Sequence, residues 1–309
     1  MRQVETRNNL MCDMETGVCG VAGEDDMEMI DFNVNKTVDL FYVTDPICSH
    51  CWALEPALRR FKEQYGQYFN FKVVMGGLLE KWGDGPVDPA NGIFKPADVA
   101  GHWREVGEFS RMPIDGTVMI ENPVQSSYPP SRVYRVIEKH FGGEKADEYL
   151  RRSREALFVF NENIAETETM IKIVNNIGLN GEEIIKEAQN EEGLKLLEED
   201  FALAAQLRVR GFPSIIMVNE DNQGIRIVGA RTFETYVEGL QRILEEDIKP
   251  ANVRPLKNLL EEEKLLFAKE LEIMYDLDET EVKQFIEEQL PEGSYEVKEK
   301  LGELYVQLK

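Results

Sequence analysis

The sequence predicts an α/β fold built on a parallel βαβ unit, with a long helical insertion and a closing β-hairpin. Two apolar runs, VDLFYV (38–43) and FNFKVVMGG (69–77), flank an amphipathic helical pattern that starts at Cys48. Short β-rich apolar runs are typical of buried strands, and this spacing favours a right-handed parallel crossover. A hairpin pattern follows only after about 130 residues of repeated helical spacing, which is far too long for a loop.

The helix of the βαβ unit is predicted to begin at a pair of thiols. Asp45-Pro46 ends the first strand because proline has no N–H to donate, and Cys48 and Cys51 follow with His50 between them. The N–H groups and dipole at a helix N-terminus favour a thiolate, and a protonated His50 would favour it further. We therefore expect Cys48 to be the more reactive thiol, with a pKa below that of a free cysteine, and Cys51 to resolve a mixed disulfide.

The downstream hairpin carries a second signal. SIIMV and IRIV are joined by the turn-rich NEDNQG, Phe212-Pro213 stands directly before the first strand, and a helical pattern follows over 232–246. A βαβ unit with CxxC, a proline opening a hairpin and a closing helix together resemble the thioredoxin fold. In that family the peptide bond before the proline is cis and the proline faces the thiols. The resemblance implies a cis bond at Pro213, with a trans proline at the start of a strand as the alternative.

The insertion, about residues 79–207, makes the likeness more specific. A helical insertion at this point and the motif CSHC are similar to the DsbA family, so residues 36–248 are predicted to form a DsbA-like thioredoxin domain. His102-Trp103 and His140 fall within the insertion. Each is predicted to be a packing or surface residue, because no second ligand lies at metal spacing.

A small C-terminal domain is predicted over residues 249–309, after the linker IKPANVRP. KLLFAKELEIMYDL predicts a helix, Asp278 or Thr280 is placed to cap a second one, and SYEVKEKLGELYVQLK predicts a hairpin. This order is similar to a winged helix. Residues 250–309 carry 15 acidic and 8 basic side chains, so phosphate backbones would repel the module. We expect it to dock proteins or to complete the core.

Composition narrows the classes of partner. The formal charge is −23, from 58 acidic and 35 basic residues, which argues against nucleic acid and anionic membranes as main partners. The N-terminus lacks the apolar core of a signal peptide, and no run of about 18 apolar residues occurs. A cytoplasmic location is therefore expected. Thiols there are mostly kept reduced, so a close pair indicates redox, metal or partner chemistry.

Residues 1–35 are predicted to form a flexible acidic tail. The tail holds Cys12 and Cys19 but no histidine, and a zinc site needs about four ligands. Two exposed thiols on a flexible arm are the simpler interpretation. A metal or redox role shared with another chain is the alternative, which makes these two residues weak metal candidates.

Over essentially its whole length the chain resembles the SpxH (YjbH) family of Gram-positive bacteria. The resemblance implies an adaptor that hands the transcription regulator Spx to the ATP-dependent protease ClpXP in the stress response. Some members have a His- and Cys-rich N-terminus proposed to bind zinc; this tail departs from that pattern, and no cofactor is predicted. The matching residues are Asp45-Pro46-Ile47-Cys48-Ser49-His50-Cys51-Trp52, Leu54-Glu55-Pro56, Gly76-Gly77 and Gly211-Phe212-Pro213-Ser214.

Two functions therefore compete. In the first, the chain is a non-catalytic adaptor, whose thiols can still serve as a redox sensor. Its client docks on an exposed apolar patch formed by Ile47, Trp52, Phe212 and Pro213. In the second, the chain is a cytosolic DsbA-like thiol–disulfide oxidoreductase. Its redox residues would be Cys48, Cys51, His50 and Pro213. The motifs alone favour the enzyme; the whole-chain resemblance and the extra C-terminal domain favour the adaptor.

Overall fold

A computed structural model describes residues 38–83 and 92–309. The predicted tail, with Cys12 and Cys19, lies outside the described residues. No helix within the described ranges is long and apolar enough to span a membrane.

A four-stranded sheet with the order β2-β1-β3-β4 forms the centre of the fold. β1 and β2 are parallel along their whole length, with Thr44 opposite Met75, as the βαβ pattern predicted. β3 runs antiparallel to β1 and forms the predicted hairpin with β4. β1 and β3 lie in the middle of the sheet because their apolar side chains are covered on both faces. The strands are β1 Val38–Thr44, β2 Phe69–Met75, β3 Ser214–Val218 and β4 Gly224–Val228.

The crossover between β1 and β2 consists of two helices instead of the single one predicted. α1 (Ser49–Ala53) is followed at Leu54 by α2 (Glu55–Tyr65), which has a proline in its first turn. Proline donates no backbone hydrogen bond, so a new helix start is favoured there. α2 packs against the closing helix α10 (Phe233–Leu244), and the rings of Phe61 and Tyr236 lie 5.9 Å apart.

Helices make up the insertion, as predicted, and a π-helical turn over Glu155–Val159 follows the fourth of them. Most are amphipathic and bury one face in the same core as the sheet. They are α3 Pro96–Ser110, α4 Val118–Glu121, α5 Tyr128–Phe141, α6 Gly143–Arg154, α7 Thr167–Asn176, α8 Gly181–Ala188 and α9 Glu191–Gln206.

The C-terminal segment contains a second, three-stranded sheet with the order β5-β7-β6. The helix predicted over 264–277 begins only at Ala268, because Leu265–Phe267 pairs with the last strand as β5. Asp278 stands at the N-cap position of the next helical turn, where its N–H donates to the Glu281 carboxylate, and the predicted C-terminal hairpin is present. The elements are α11 Leu256–Glu263, β5 Leu265–Phe267, α12 Ala268–Tyr275, a 3-10 turn Glu279–Glu281, α13 Val282–Gln289, β6 Tyr295–Lys300 and β7 Glu303–Leu308.

This segment has an apolar cluster of its own, which includes Leu260, Leu271 and Ile286. Phe267, however, is buried in the main core, and the described residues form one compact unit. The domain boundary at residue 249 and the winged-helix classification stay predictions.

Candidate functional site

The thiol pair lies at the start of α1. Cys48 is the N-cap residue with an extended backbone, and its Sγ accepts a hydrogen bond from the Cys51 N–H at 3.2 Å. The two cysteines are joined by a disulfide with a Cα–Cα distance of 5.2 Å. Cys48 is 5% exposed, whereas Cys51 is fully buried. The predicted placement at the helix start is confirmed. The predicted order of reactivity agrees with the order of exposure but stays a prediction.

A buried carboxylate holds the loop that leads into the thiol pair. Asp45 accepts hydrogen bonds from the backbone N–H of Ile47 (3.0 Å) and of Leu78 (2.7 Å), and from the hydroxyl of Ser127 (2.7 Å). Burial raises the pKa of Asp45, and these bonds and the charge of Arg154 oppose the rise only in part. Asp45 thus ties together the loops after β1 and β2 and the start of α5. Sequence reasoning treated it only as the end of a strand.

The proline segment faces a pair of glycines. The Phe212–Pro213 peptide bond is cis, as the thioredoxin resemblance implied. The ring of Phe212 occupies the space that a Cβ at position 76 would need. Gly77 has a φ of +71°, and a Cβ there would lie 2.6 Å from the ring of Phe201. The glycines at 76 and 77 are therefore required by the rings packed against them.

The predicted apolar patch is wrong in most of its members. Trp52 is fully buried, Ile47 is 5% exposed and Pro213 is also buried, while Phe212 alone is half-buried. The indole N–H of Trp52 donates to the carbonyl of Pro113 at 3.2 Å. Phe158 of the insertion stacks on its ring at 6.0 Å, and Phe267 of the C-terminal segment meets it edge-on at 5.8 Å. These distant segments, which no local pattern reveals, remove Trp52 from the surface.

A different apolar surface lies just after β2, next to the loop that leads into the thiol pair. We call it the Gly76 patch and define it as Leu78, Tyr128, Phe201 and Phe212. Leu78 is 43% exposed and the other three are half-buried. The Tyr128 and Phe201 rings lie 5.2 Å apart and both contact the position of Gly77. Because the N–H of Leu78 is bonded to Asp45, this patch is fixed to the loop that carries Cys48.

Two histidines meet near the motif. His50 is exposed, His102 of α3 is half-buried, and their ring centroids lie 5.6 Å apart. Loss of water around the covered part of its ring, and then the charge of His102, lower the pKa of His50. A neutral imidazole stabilises a thiolate less than a protonated one, so His50 assists Cys48 less near neutral pH than the sequence suggested. His140, near the end of α5, lies at the surface, where its Nε2 is 2.9 Å from Oε1 of Glu187.

A buried charge cluster supports α1 from the other side. The guanidinium of Arg151 lies 4.8 Å from the Trp52 ring centroid and is bonded to both carboxylate oxygens of Glu270 in α12, at 2.9 and 2.8 Å. Glu270 also faces Arg59. Burial alone would raise the pKa of Glu270, but the two arginines outweigh it and the pKa lies below its ordinary value. Sequence reasoning missed this cluster, because Glu270 lies more than one hundred residues along the chain from either arginine.

Asp200 joins the insertion to the end of β2. It is 3% exposed, accepts a hydrogen bond from the Met75 N–H at 2.8 Å and lies 3.3 Å from the guanidinium of Arg135. Burial raises the pKa of Asp200 to about 6, despite the opposing charge of Arg135 and the bond from Met75. Since Met75 directly precedes Gly76, Asp200 supports the strand end that carries the Gly76 patch.

The raised pKa of Asp200 predicts a pH-dependent stability. The folded protein holds this proton more tightly than the unfolded chain, so the contribution of Asp200 to stability rises as pH falls through 6. Between pH 7 and pH 5 we expect wild type to gain about 1 kcal/mol relative to Asp200→Asn in urea unfolding. Glu198→Gln, two positions away and exposed, is the control and should follow wild type. Equal pH dependences of wild type and Asp200→Asn would contradict the assignment.

Within residues 38–83 and 92–309, no group of three or more His, Cys, Asp or Glu side chains is arranged to hold a metal ion. The two tail cysteines lie outside this range.

The sheet, the helical insertion, the N-capping cysteine and the cis proline define a thioredoxin-fold protein of the DsbA type. The chain belongs to the thioredoxin family: the family model described as "Thioredoxin" matches residues 41–238. This confirms the thioredoxin-like part of the predicted fold class.

Curated relatives extend the match beyond that domain. The chain is 29% identical over 280 residues to "ClpXP adapter protein SpxH" of Halalkalibacterium halodurans, which covers 88% of each chain. It is 28% identical over 252 residues to the protein of the same name from Bacillus subtilis, covering 80% of this chain and 81% of the relative. The predicted resemblance to the SpxH family is confirmed.

Solved structures agree on the fold. A putative protein disulfide isomerase from Nitrosomonas europaea has a TM-score of 0.56 at 21% identity, covering 68% of this chain and 97% of that one. A probable DsbA oxidoreductase from Streptomyces coelicolor has a TM-score of 0.54 at 13% identity, covering 71% and 94%. At these identities the likeness shows the fold alone.

Proposed function

We propose that this protein is a cytoplasmic adaptor that binds the transcription regulator Spx and promotes its degradation by the ClpXP protease. The observation that carries the proposal is the similarity to ClpXP adapter proteins named SpxH over 88% of both chains. The match includes residues well outside the thioredoxin domain, as expected if the whole chain shares one role. We expect the adaptor itself to act without a bound cofactor.

An adaptor acts through binding. It raises the effective concentration of the client at the protease, or shifts the client toward a conformation that the protease can engage. Neither effect needs thiol chemistry. The Gly76 patch is the surface we assign to the client, because its apolar side chains are accessible and are held rigidly by Gly77, Asp45 and Asp200. It replaces the predicted patch, of which only Phe212 is retained.

The test is a purified system of Spx, ClpXP and this protein under reducing conditions. Replacing both Cys48 and Cys51 by Ala should leave the stimulation of client degradation largely intact. Leu78→Glu places a charge in the patch and should reduce stimulation at least about tenfold, as expected when an apolar anchor is lost. Ile120→Glu is the matched control, since Ile120 is 54% exposed but lies outside the patch.

The second candidate is thiol–disulfide exchange, which is favoured by the N-capping position of Cys48 and the cis bond at Pro213. The same assay separates the two functions. If the double cysteine variant loses all stimulation while wild type turns over a disulfide substrate many times, the oxidoreductase is correct and the adaptor proposal fails. If Leu78→Glu stimulates like wild type, the client surface lies elsewhere.

A further inference from the structure

Two imidazoles from different parts of the chain meet beside the thiol pair. His50 lies in the first turn of α1, and His102 comes from α3 in the insertion. Their ring centroids are 5.6 Å apart with planes inclined by 63°. His50 is exposed and His102 is half-buried, so solvent protons reach both rings. The sequence separates them by more than fifty residues, and only the packing of α3 on α1 brings them together.

This contact limits the charge that His50 can carry. At this separation a charge on His102 opposes protonation of His50, because like charges at short range raise the free energy of the doubly protonated state. Among the described residues, His102 is the one titratable group whose charge acts on His50. On α2, which directly follows α1, Glu55 and Arg59 are engaged in the buried cluster with Arg151 of α6 and Glu270.

The charge of His50 matters for Cys48. His50 is the only ionisable side chain between the two cysteines, and a cationic neighbour at the start of a helix stabilises a thiolate. When His50 is neutral, the helix N-terminus is the main local group that stabilises the Cys48 thiolate. The nucleophilic form of Cys48 is then less populated near neutral pH.

We propose that His102 acts through His50 to hold down the reactivity of Cys48 near neutral pH. His102 is a positioning residue in this role, since it acts on the thiol only by opposing protonation of His50. The result is a thiol pair less prone to form mixed disulfides. This inference goes beyond the adaptor proposal and does not depend on it.

The test measures alkylation of the fully reduced, full-length protein by iodoacetamide from pH 5.5 to pH 8. The Cys48 thiolate displaces iodide and forms a carbon–sulfur bond, and peptide mass spectrometry separates Cys48 from the other cysteines. His102→Gln should raise the rate at pH 6.5 about two- to fourfold and shift the rate profile to lower pH. His102→Asn is a second variant with the same expectation.

Two controls distinguish the electrostatic effect from a structural one. In a His50→Gln background, His102→Gln should leave the rate unchanged, because the residue through which it acts is gone. Glu108→Gln, an exposed residue on another face of the same helix, should behave like wild type. A rate that is unchanged or lower in His102→Gln overturns the proposal, as does an increase that persists without His50. Client degradation is a separate readout, so failure here leaves the adaptor assignment standing.

Discussion

Replacing Glu270 by Ala should destabilise the protein by about 3–5 kcal/mol, because it leaves buried arginines without their partner. Glu270 is 1% exposed, and Arg151, which it binds through both carboxylate oxygens, is 4% exposed. Glu270 also accepts the N–H of Phe267 at 3.0 Å and so caps α12. Urea unfolding measures the loss, and hydrogen exchange should show faster exchange in both α1 and α12.

The control for this experiment is Glu261→Ala. Glu261 lies in the same segment, its side chain is 56% exposed, and its pair with Lys257 spans one helical turn at the surface. An exposed pair of this kind contributes less than about 1 kcal/mol. A loss of stability in Glu270→Ala no larger than in the control would show that the buried cluster does not hold the C-terminal segment in place.

This cluster explains how the C-terminal segment reaches the thiol site. Trp52, directly after Cys51, contacts the ring of Phe267, and Arg151 stacks on Trp52 while it binds Glu270. Of the two roles predicted for this segment, protein docking and completion of the core, these contacts favour completion of the core. The side of α1 that the sequence assigned to a client is occupied by the chain itself.

Adding a methyl group at position 76 should have the second largest effect on stability, after Glu270→Ala. The Cβ of Gly76→Ala would overlap the ring of Phe212, so Phe212 must move away from the strand end. Overpacking of this kind costs about 1–3 kcal/mol, and the displaced ring should also impair client degradation through the Gly76 patch. Thermal unfolding and the purified degradation assay measure the two effects separately.

Gly211, which directly precedes Phe212, provides a matched control. A Cβ at Gly211 meets nothing within 4 Å, so Gly211→Ala alters the same segment without the clash and should behave like wild type. Combining Gly76→Ala with Phe212→Ala should restore part of the stability, because the smaller side chain makes room for the added methyl. If Gly76→Ala is as stable as Gly211→Ala, the ring of Phe212 does not depend on the glycine.

Local signals in the sequence determined the framework of this protein. Apolar runs separated by a helical pattern placed β1 and β2, and the turn-rich segment before IRIV placed the hairpin. The CxxC motif after Asp45-Pro46 placed Cys48 at a helix start. Each signal depends on residues close together in the chain, where backbone chemistry limits the possible conformations.

Tertiary packing decided which of these residues face solvent. Trp52 directly follows Cys51, and the predicted client patch placed it on the surface. It is buried because Phe158 and Phe267 cover it. In the same way, Leu265–Phe267 is a strand and not the start of a helix, because the last strand of the chain pairs with it. Periodicity shows that a residue has an apolar face, but it carries no information about which distant segment will cover that face. The sequence therefore determined the βαβ unit and the position of the thiols. Only the packing of distant segments decided three further features: the His50–His102 contact, the Arg151–Glu270 pair and the accessible Gly76 patch.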